Sequence, residues 1–318
     1  MKEASFVPHL LNGRTIMNKS KSHNKYSVFW PIVFIAPFCI FFFVFNLFPI
    51  IYSFYMSFLD WNGYSEKTFV GFDNYVDIFT TDTTFWSSLL NTLRIGILGF
   101  PISIILGLIF AALLSRVVRG RRFLQTANFL PYITTPVAIG MMFTFIFEEH
   151  VGFFNKIITF FGGDAINFIG SKTWAPVVIA FMIIWKDTGY FIVMYLAGIT
   201  SISEDIYEAA QIDGANRFQT FFHITVPLLK HVTTFLVITS LIYAFQLFDE
   251  PNLLFTNQSS STVGGPGQSC LTMVWNFYNQ AFGANPRMGY ASALSCVLFA
   301  IIVIVSLIGL KIMNGKED

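Results

Sequence analysis

The residues best equipped for chemistry in this sequence lie where polar groups are costly. "IIWKDTGYF" (Ile183–Phe191) puts Lys186 and Asp187 inside an apolar run. Charged groups in such a setting need partners or a task. Ile183, Lys186, Asp187 and Tyr190 follow i, i+3, i+4, i+7 spacing, which is one face of a helix. A second apolar run carries Ser240, Tyr243, Ala244 and Leu247 at the same spacing, with Gln246, Asp249 and Glu250 close by. Hydroxyls, an amide and aromatic faces can hold a polar solute without reacting with it. Two readings stay open for Lys186 and Asp187. They touch a solute, or they pair only with each other and hold helices together.

Covalent chemistry has no comparable signature. No GxxxxGK[ST] stretch offers a phosphate-binding loop, and neither HExxH nor GxSxG occurs. His9, His23, His150, His223 and His231 form no ligand-spaced cluster, so no metal site and no enzymatic activity is expected. Cys39, Cys270 and Cys296 are far apart and read as small buried groups rather than a disulfide framework. A net charge of +1 supplies no basic field for nucleic acid.

A third segment, "EAAQIDGANRFQTFFHITVPLL" (Glu208–Leu229), is a polar interlude between apolar runs. Ser201 and Glu204 have capping-box spacing, which predicts a helix start. On that helix Ile206, Ala209, Ala210 and Asp213 share one side, and Glu204, Glu208 and Gln211 another. Asp213-Gly214 predicts a turn. A second short helix follows with Phe218, Phe221 and Phe222 as its ridge, and Pro227 fits the first turn of the next run. Four acids, Glu204, Asp205, Glu208 and Asp213, crowd this loop. Anionic headgroups would repel it, so docking to a protein is the better reading.

The elements that must position these residues are membrane spans. The chain of 318 residues is 54% hydrophobic and 12% charged, with a mean hydropathy of +0.62. That is far less charge than the roughly 25% of a soluble domain. Six runs reach the length of about 20 apolar residues that a bilayer requires: 28–58, 88–115, 123–147, 175–199, 228–250 and 289–312. Prolines in the first three predict kinked, packed helices. Most Lys and Arg, including those of "RVVRGRR" (Arg116–Arg122), fall on the side of the N-terminus. Lys67, Arg94, Lys156, Lys172 and Arg287 fall on the other. This bias predicts both termini inside. A basic tail (1–27) and a short C-terminal tail (313–318) flank the spans. The run after the basic tail is too long for a signal peptide, and Met17 is a second possible start. "GFFNKIITFFG" (Gly152–Gly162) reads as a helix lying in the interface. The turn-rich Thr256–Ser269 loop contains a sequon pattern at Asn257.

The Glu208–Leu229 segment resembles the EAA loop of ATP-binding-cassette importer permeases. Glu208, Ala209, Ala210, Asp213, Gly214, Ala215, Phe221, Ile224, Pro227 and Leu228 match that motif. Its D-G-A version is similar to the carbohydrate branch, which includes maltose, glycerol-3-phosphate and multiple-sugar permeases. "FVGFDNYVDIF" (Phe69–Phe79), "NTL" (Asn91–Leu93), "FLPYITTPVAIGMMFTFIF" (Phe129–Phe147), "GGP" (Gly264–Pro266) and "GYASALS" (Gly289–Ser295) also resemble that branch. The chain departs from it at Ser203, where proline is usual, and in the extension Ser259–Thr262. It resembles the larger maltose permease without that subunit's outer domain and extra helices.

The resemblance implies an all-α membrane protein with six transmembrane helices. The implied fold is that of a type I ABC importer permease in a bacterial cell membrane, with both termini cytoplasmic. It implies a non-catalytic subunit of a sugar importer. The implied partners are a homologous second permease, an extracytoplasmic sugar-binding protein and two ATPase subunits, which hold the ATP and Mg. Glu208, Ala209, Ala210, Asp213, Gly214, Ala215, Phe221 and Pro227 would couple to the ATPase. Ile183, Lys186, Asp187, Tyr190, Ser240, Tyr243, Ala244, Gln246 and Leu247 fall where similar permeases line a sugar cavity. The same architecture could carry glycerol-3-phosphate or a polyol. A secondary transporter would call for inverted repeats, and none is visible.

Overall fold

A computed structural model describes residues 25–116, 119–256 and 263–314. The N-terminal tail to Asn24, the Asn257 sequon, the Ser259–Thr262 extension and residues 315–318 lie outside the described residues. The chain divides into two compact units after Tyr52. From the first, α1 (Lys25–Phe42) passes through a π-helical turn (Phe43–Leu47) into α2 (Phe48–Met56), which runs across that division. Its sequence is apolar on every side, as a helix in lipid requires. Phe38 stacks on Phe42 and Phe41 on Phe45 at i, i+4 spacing.

The second unit opens with a two-stranded ribbon, β1 (Leu59–Asp60) and β2 (Thr68–Phe69), followed by α3 (Asp73–Thr80). Then come α4 (Thr83–Ser115), α5 (Arg121–Ile133), α6 (Pro136–Ile146), α7 (Phe153–Phe160) and α8 (Trp174–Thr200). Four short helices and one longer one follow: α9 (Glu204–Ile212), α10 (Arg217–Thr220), α11 (Val226–Leu228), α12 (Lys230–Phe245) and α13 (Asp249–Thr256). The chain closes with α14 (Met273–Phe282) and α15 (Met288–Asn314).

Four stretches among the described residues are long and apolar enough to cross a bilayer: Trp30–Met56, α4, α8 and Met288–Met313. Two bent pairs bring the number to six. α5 and α6 meet at 94°, and Arg217–Leu228 meets α12 at 65°. The first bend has a local cause. Pro136 holds Thr135 extended (φ −61°, ψ 137°), so α5 must end before it and α6 begin on it. The apolar run 228–250 is not one helix either. α12 ends at Phe245, and Asp249 and Glu250 open α13.

Helices in lipid gain little from hydrophobicity and much from close approach through small residues. α4 and α8 pack along most of their length, with Gly99 against Ile183 and Gly107 against Phe191. Where α8 crosses α5, a Cβ on Gly189 would run into the carbonyl of Asn128. Polar links join other helices. The hydroxyl of the fully buried Tyr195 donates to Thr233 on α12 (3.1 Å). Asn91 Nδ2 donates to the carbonyls of Gln268 (2.8 Å) and Leu271 (3.2 Å), and Thr92 accepts from the Met273 amide. "NTL" therefore ties α4 to the last loop.

α7 occupies the segment expected to lie at the interface, with Phe160 and Phe161 exposed and Phe154 stacked on Phe147. Cys270 is buried, which pushes its thiol up to about 12 and leaves it a protonated packing group. Cys39 and Cys296 are free and partly buried.

Candidate functional site

α5, α8, α12 and the turn into α13 enclose a cavity of about 380 Å³, within the usual range of roughly 300–1,000 Å³ for ligand pockets. α8 contributes Lys186, Asp187 and Tyr190. α12 and the turn after it contribute Ser240, Tyr243, Gln246 and Leu247. These are seven of the nine residues that the sequence assigned to a pathway. Ile183 is not among them. It is fully buried against Gly99 of α4. Ala244 sits against Gly96 and borders a separate apolar groove between α4 and α12. Both occupy the edge of their stripe that α4 covers, and helical period alone does not show which edge meets a neighbour.

The cavity joins aromatic faces to buried charge. Tyr132 of α5 stacks on Tyr190 of α8, ring centres 5.0 Å apart and planes 21° from parallel. Tyr243 is exposed on the opposite helix. The Lys186 ammonium contacts the Glu250 carboxylate and lies 3.6 Å from Asp187 Oδ1. Asp187 and Glu250 are both buried. The expected Lys186–Asp187 pair is thus a three-member cluster joining α8 to α13. Its nearest contact comes from a residue noted in the sequence only as a neighbour of Tyr243. Ser240 donates its proton to the Leu236 carbonyl (2.6 Å), so its oxygen can offer a ligand only an acceptor. Tyr132 had escaped notice, although its signal was present: a tyrosine beside two prolines in an apolar run, at a break in a span.

The loop between α8 and α12 is built from short-range signals. Ser201 donates to the Gly198 carbonyl (2.7 Å) and closes α8 instead of capping α9. The cap of α9 is Ser203, whose Oγ accepts from the Asp205 amide. The capping box forms one helix later. Asn216 Oδ1 accepts from the Gln219 amide (2.9 Å), and Gln219 Oε1 accepts from the Asn216 amide (2.8 Å). This N-x-x-Q spacing was readable and was overlooked.

Between α9 and α10 the chain reverses at Gly214, whose φ of +79° suits glycine. The Ala215 amide donates back to the Ala210 carbonyl (2.9 Å). Pro227 is the second residue of the short α11 (Val226–Leu228) and does not open the long helix itself. Ala210 is buried, while Glu208, Ala209 and Asp213 are exposed. Phe221 is half-buried and meets Phe222 edge-on at 4.9 Å. Ile206, Ile212, Phe218 and Phe222 all stand exposed beside the acids. The loop thus carries an exposed patch in which apolar and acidic side chains alternate.

The family described as binding-protein-dependent transport system inner membrane component matches residues 103–313, from within α4 through the loop to α15. The chain belongs to that family. This permease is 34% identical over 294 residues to the probable ABC transporter permease protein YurN of Bacillus subtilis (strain 168), covering 91% of this chain and 97% of that protein. It is 35% identical over 287 residues to the arabinooligosaccharides transport system permease protein AraP of the same organism, covering 90% and 88%. A chain in the crystal structure of a bacterial alginate ABC transporter, solved with an alginate pentasaccharide-bound periplasmic protein, has the same fold. Its TM-score is 0.78 over 89% of this permease and 93% of that chain, at 23% identity.

Proposed function

We propose that this permease is one of two membrane-spanning subunits of an ATP-driven sugar importer. The cavity carries that reading: tyrosine faces, an amide and buried charge meet at the break between α12 and α13. The name of AraP, an arabinooligosaccharide permease, supports a carbohydrate cargo.

Sugar delivered by an extracytoplasmic binding protein enters this cavity. The stacked Tyr132–Tyr190 pair presents an aromatic face to its C–H face, Tyr243 covers the opposite side, and Gln246 bonds hydroxyls. On the cytoplasmic side the α9–α10 loop docks on an ATPase subunit. Glu208 pairs with a basic group there, and Ala209 allows close contact. Asp213 and Gly214 set the angle between the two helices. Ala210, Ala215, Phe221 and Pro227 fix the loop to its own chain. ATP and Mg are held by the two ATPase subunits, whose closure acts on α12 through the bend after α11 as a rigid-body push. A second, homologous permease completes the pathway. Residues 28–312 form the six-span body, with both termini in the cytoplasm.

The test is reconstitution of the tagged complex in vesicles with its binding protein and internal or external ATP. Labelled neutral oligosaccharides should accumulate only with ATP on the loop side. Accumulation without ATP, driven by an ion gradient, would contradict the reading and place the chain among secondary transporters.

A further inference from the structure

Among the described residues Lys186 is the only cationic side chain lining the cavity, and its ammonium is already engaged by Glu250 and Asp187. A third carboxylate, Asp249, lines the same wall and has no ion-pair partner among the described residues. One ammonium therefore faces three carboxylates. The rest of the polar lining, Tyr132, Tyr190, Tyr243, Thr239, Ser240 and Gln246, is uncharged.

From this lining we infer that the cavity admits uncharged sugars and turns away acidic ones, such as uronates and phosphorylated polyols. The inference rests on the cavity being the sugar path. It follows first from charge, and only then from donor and acceptor chemistry. Carboxylates only accept hydrogen bonds, and Ser240 has committed its proton to Leu236. Donors remain in the Tyr132, Tyr190 and Tyr243 hydroxyls and the Gln246 amide, and the hydroxyls of a neutral sugar, which both donate and accept, match this mixed lining. A carboxylate or phosphate on the ligand brings a negative charge toward Asp249. It can reach the Lys186 ammonium only by displacing Glu250 or Asp187, which leaves a buried carboxylate without its counter-ion. The glycerol-3-phosphate alternative is disfavoured on the same ground.

The experiment uses the complete transporter, purified through a tag on this chain and free of binding protein, so that the cavity alone selects. Binding is measured by calorimetry for three neutral probes (arabinotriose, maltotriose and lactose) and two acidic ones (trigalacturonate and sn-glycerol-3-phosphate). The best neutral probe should bind at least about tenfold more tightly than either acid, the effect of a unit charge at several ångströms in a half-solvated site. Asp249→Asn alters an exposed side chain at the cavity rim, so the fold should persist. It should narrow the gap about fivefold by improving the acids. An acidic probe binding as tightly as the best neutral one would overturn the inference, as would an unchanged gap in Asp249→Asn. Failure of all five probes, with Tyr190→Ala as silent as the wild type, would remove the pathway reading itself and the charge preference with it.

Discussion

The cavity and the α9–α10 loop are built by opposite means. The cavity collects side chains from α5, α8, α12 and α13, from Tyr132 to Glu250, and three of its charged groups, Lys186, Asp187 and Glu250, are set against one another. The loop uses consecutive residues and leaves both its acids and its large apolar side chains in the open. Two glycines condense the contrast. At Gly189 there is no room for a Cβ beside the Asn128 carbonyl, whereas around Gly214 nothing lies within 4 Å and only the positive φ demands glycine. A site for a small solute in lipid must complete its own polar contacts before the solute arrives. A surface for a partner protein leaves its contacts for the partner to complete.

The largest effect should come from breaking the buried charge cluster. Lys186→Met leaves Asp187 and Glu250 without their cation and should cost about 3–5 kcal/mol, read as loss of monodisperse protein on heating in detergent. Asp187→Asn added alone should restore little, because Glu250 is the closer partner. Adding Glu250→Gln as well should restore the protein level. Full rescue by Asp187→Asn alone would return the cluster to a simple pair of neighbours.

The two glycines should separate next. Gly189→Ala forces α5 and α8 apart and should destabilise by about 1–3 kcal/mol. Gly214→Ala meets no neighbour and costs only the left-handed backbone, about 1 kcal/mol. Thermal stability should therefore fall more in the first, while ATP-driven uptake per folded molecule should fall more in the second. Equal loss of stability in both would erase the distinction between a packed site and an open one.

These differences also explain what was legible beforehand. The loop's signals are local: a turn at Asp213-Gly214, a proline, and a run of matched motif positions. Its outline was readable, although the caps were assigned to the wrong serine. Half of the cavity was readable too, because Lys186, Asp187 and Tyr190, and Ser240 with Tyr243, keep helical period. Tyr132 was missed and Glu250 was noted only as a neighbour of Tyr243, because each reaches the cavity beside a break, one at Thr134–Thr135 and one after Phe245. An apolar run gives little sign of where it bends. Ile183 and Ala244 were misplaced because the partner of a stripe's edge, here α4, is set by tertiary packing.

On the proposed function, the cavity holds sugar and the loop transmits ATP binding, as separable tasks. The direct measurement is sugar imported per ATP hydrolysed in reconstituted vesicles, for Tyr190→Ala and Glu208→Lys side by side. Tyr190→Ala loses one stacking contact worth about 1 kcal/mol. It should lower the ratio several-fold while binding-protein-stimulated hydrolysis continues. Glu208→Lys should lower stimulated hydrolysis and uptake together, by about tenfold for a coupling of about 1.4 kcal/mol, with the ratio of what remains unchanged. The reverse pattern, with hydrolysis lost in Tyr190→Ala and the ratio lost in Glu208→Lys, would contradict the account.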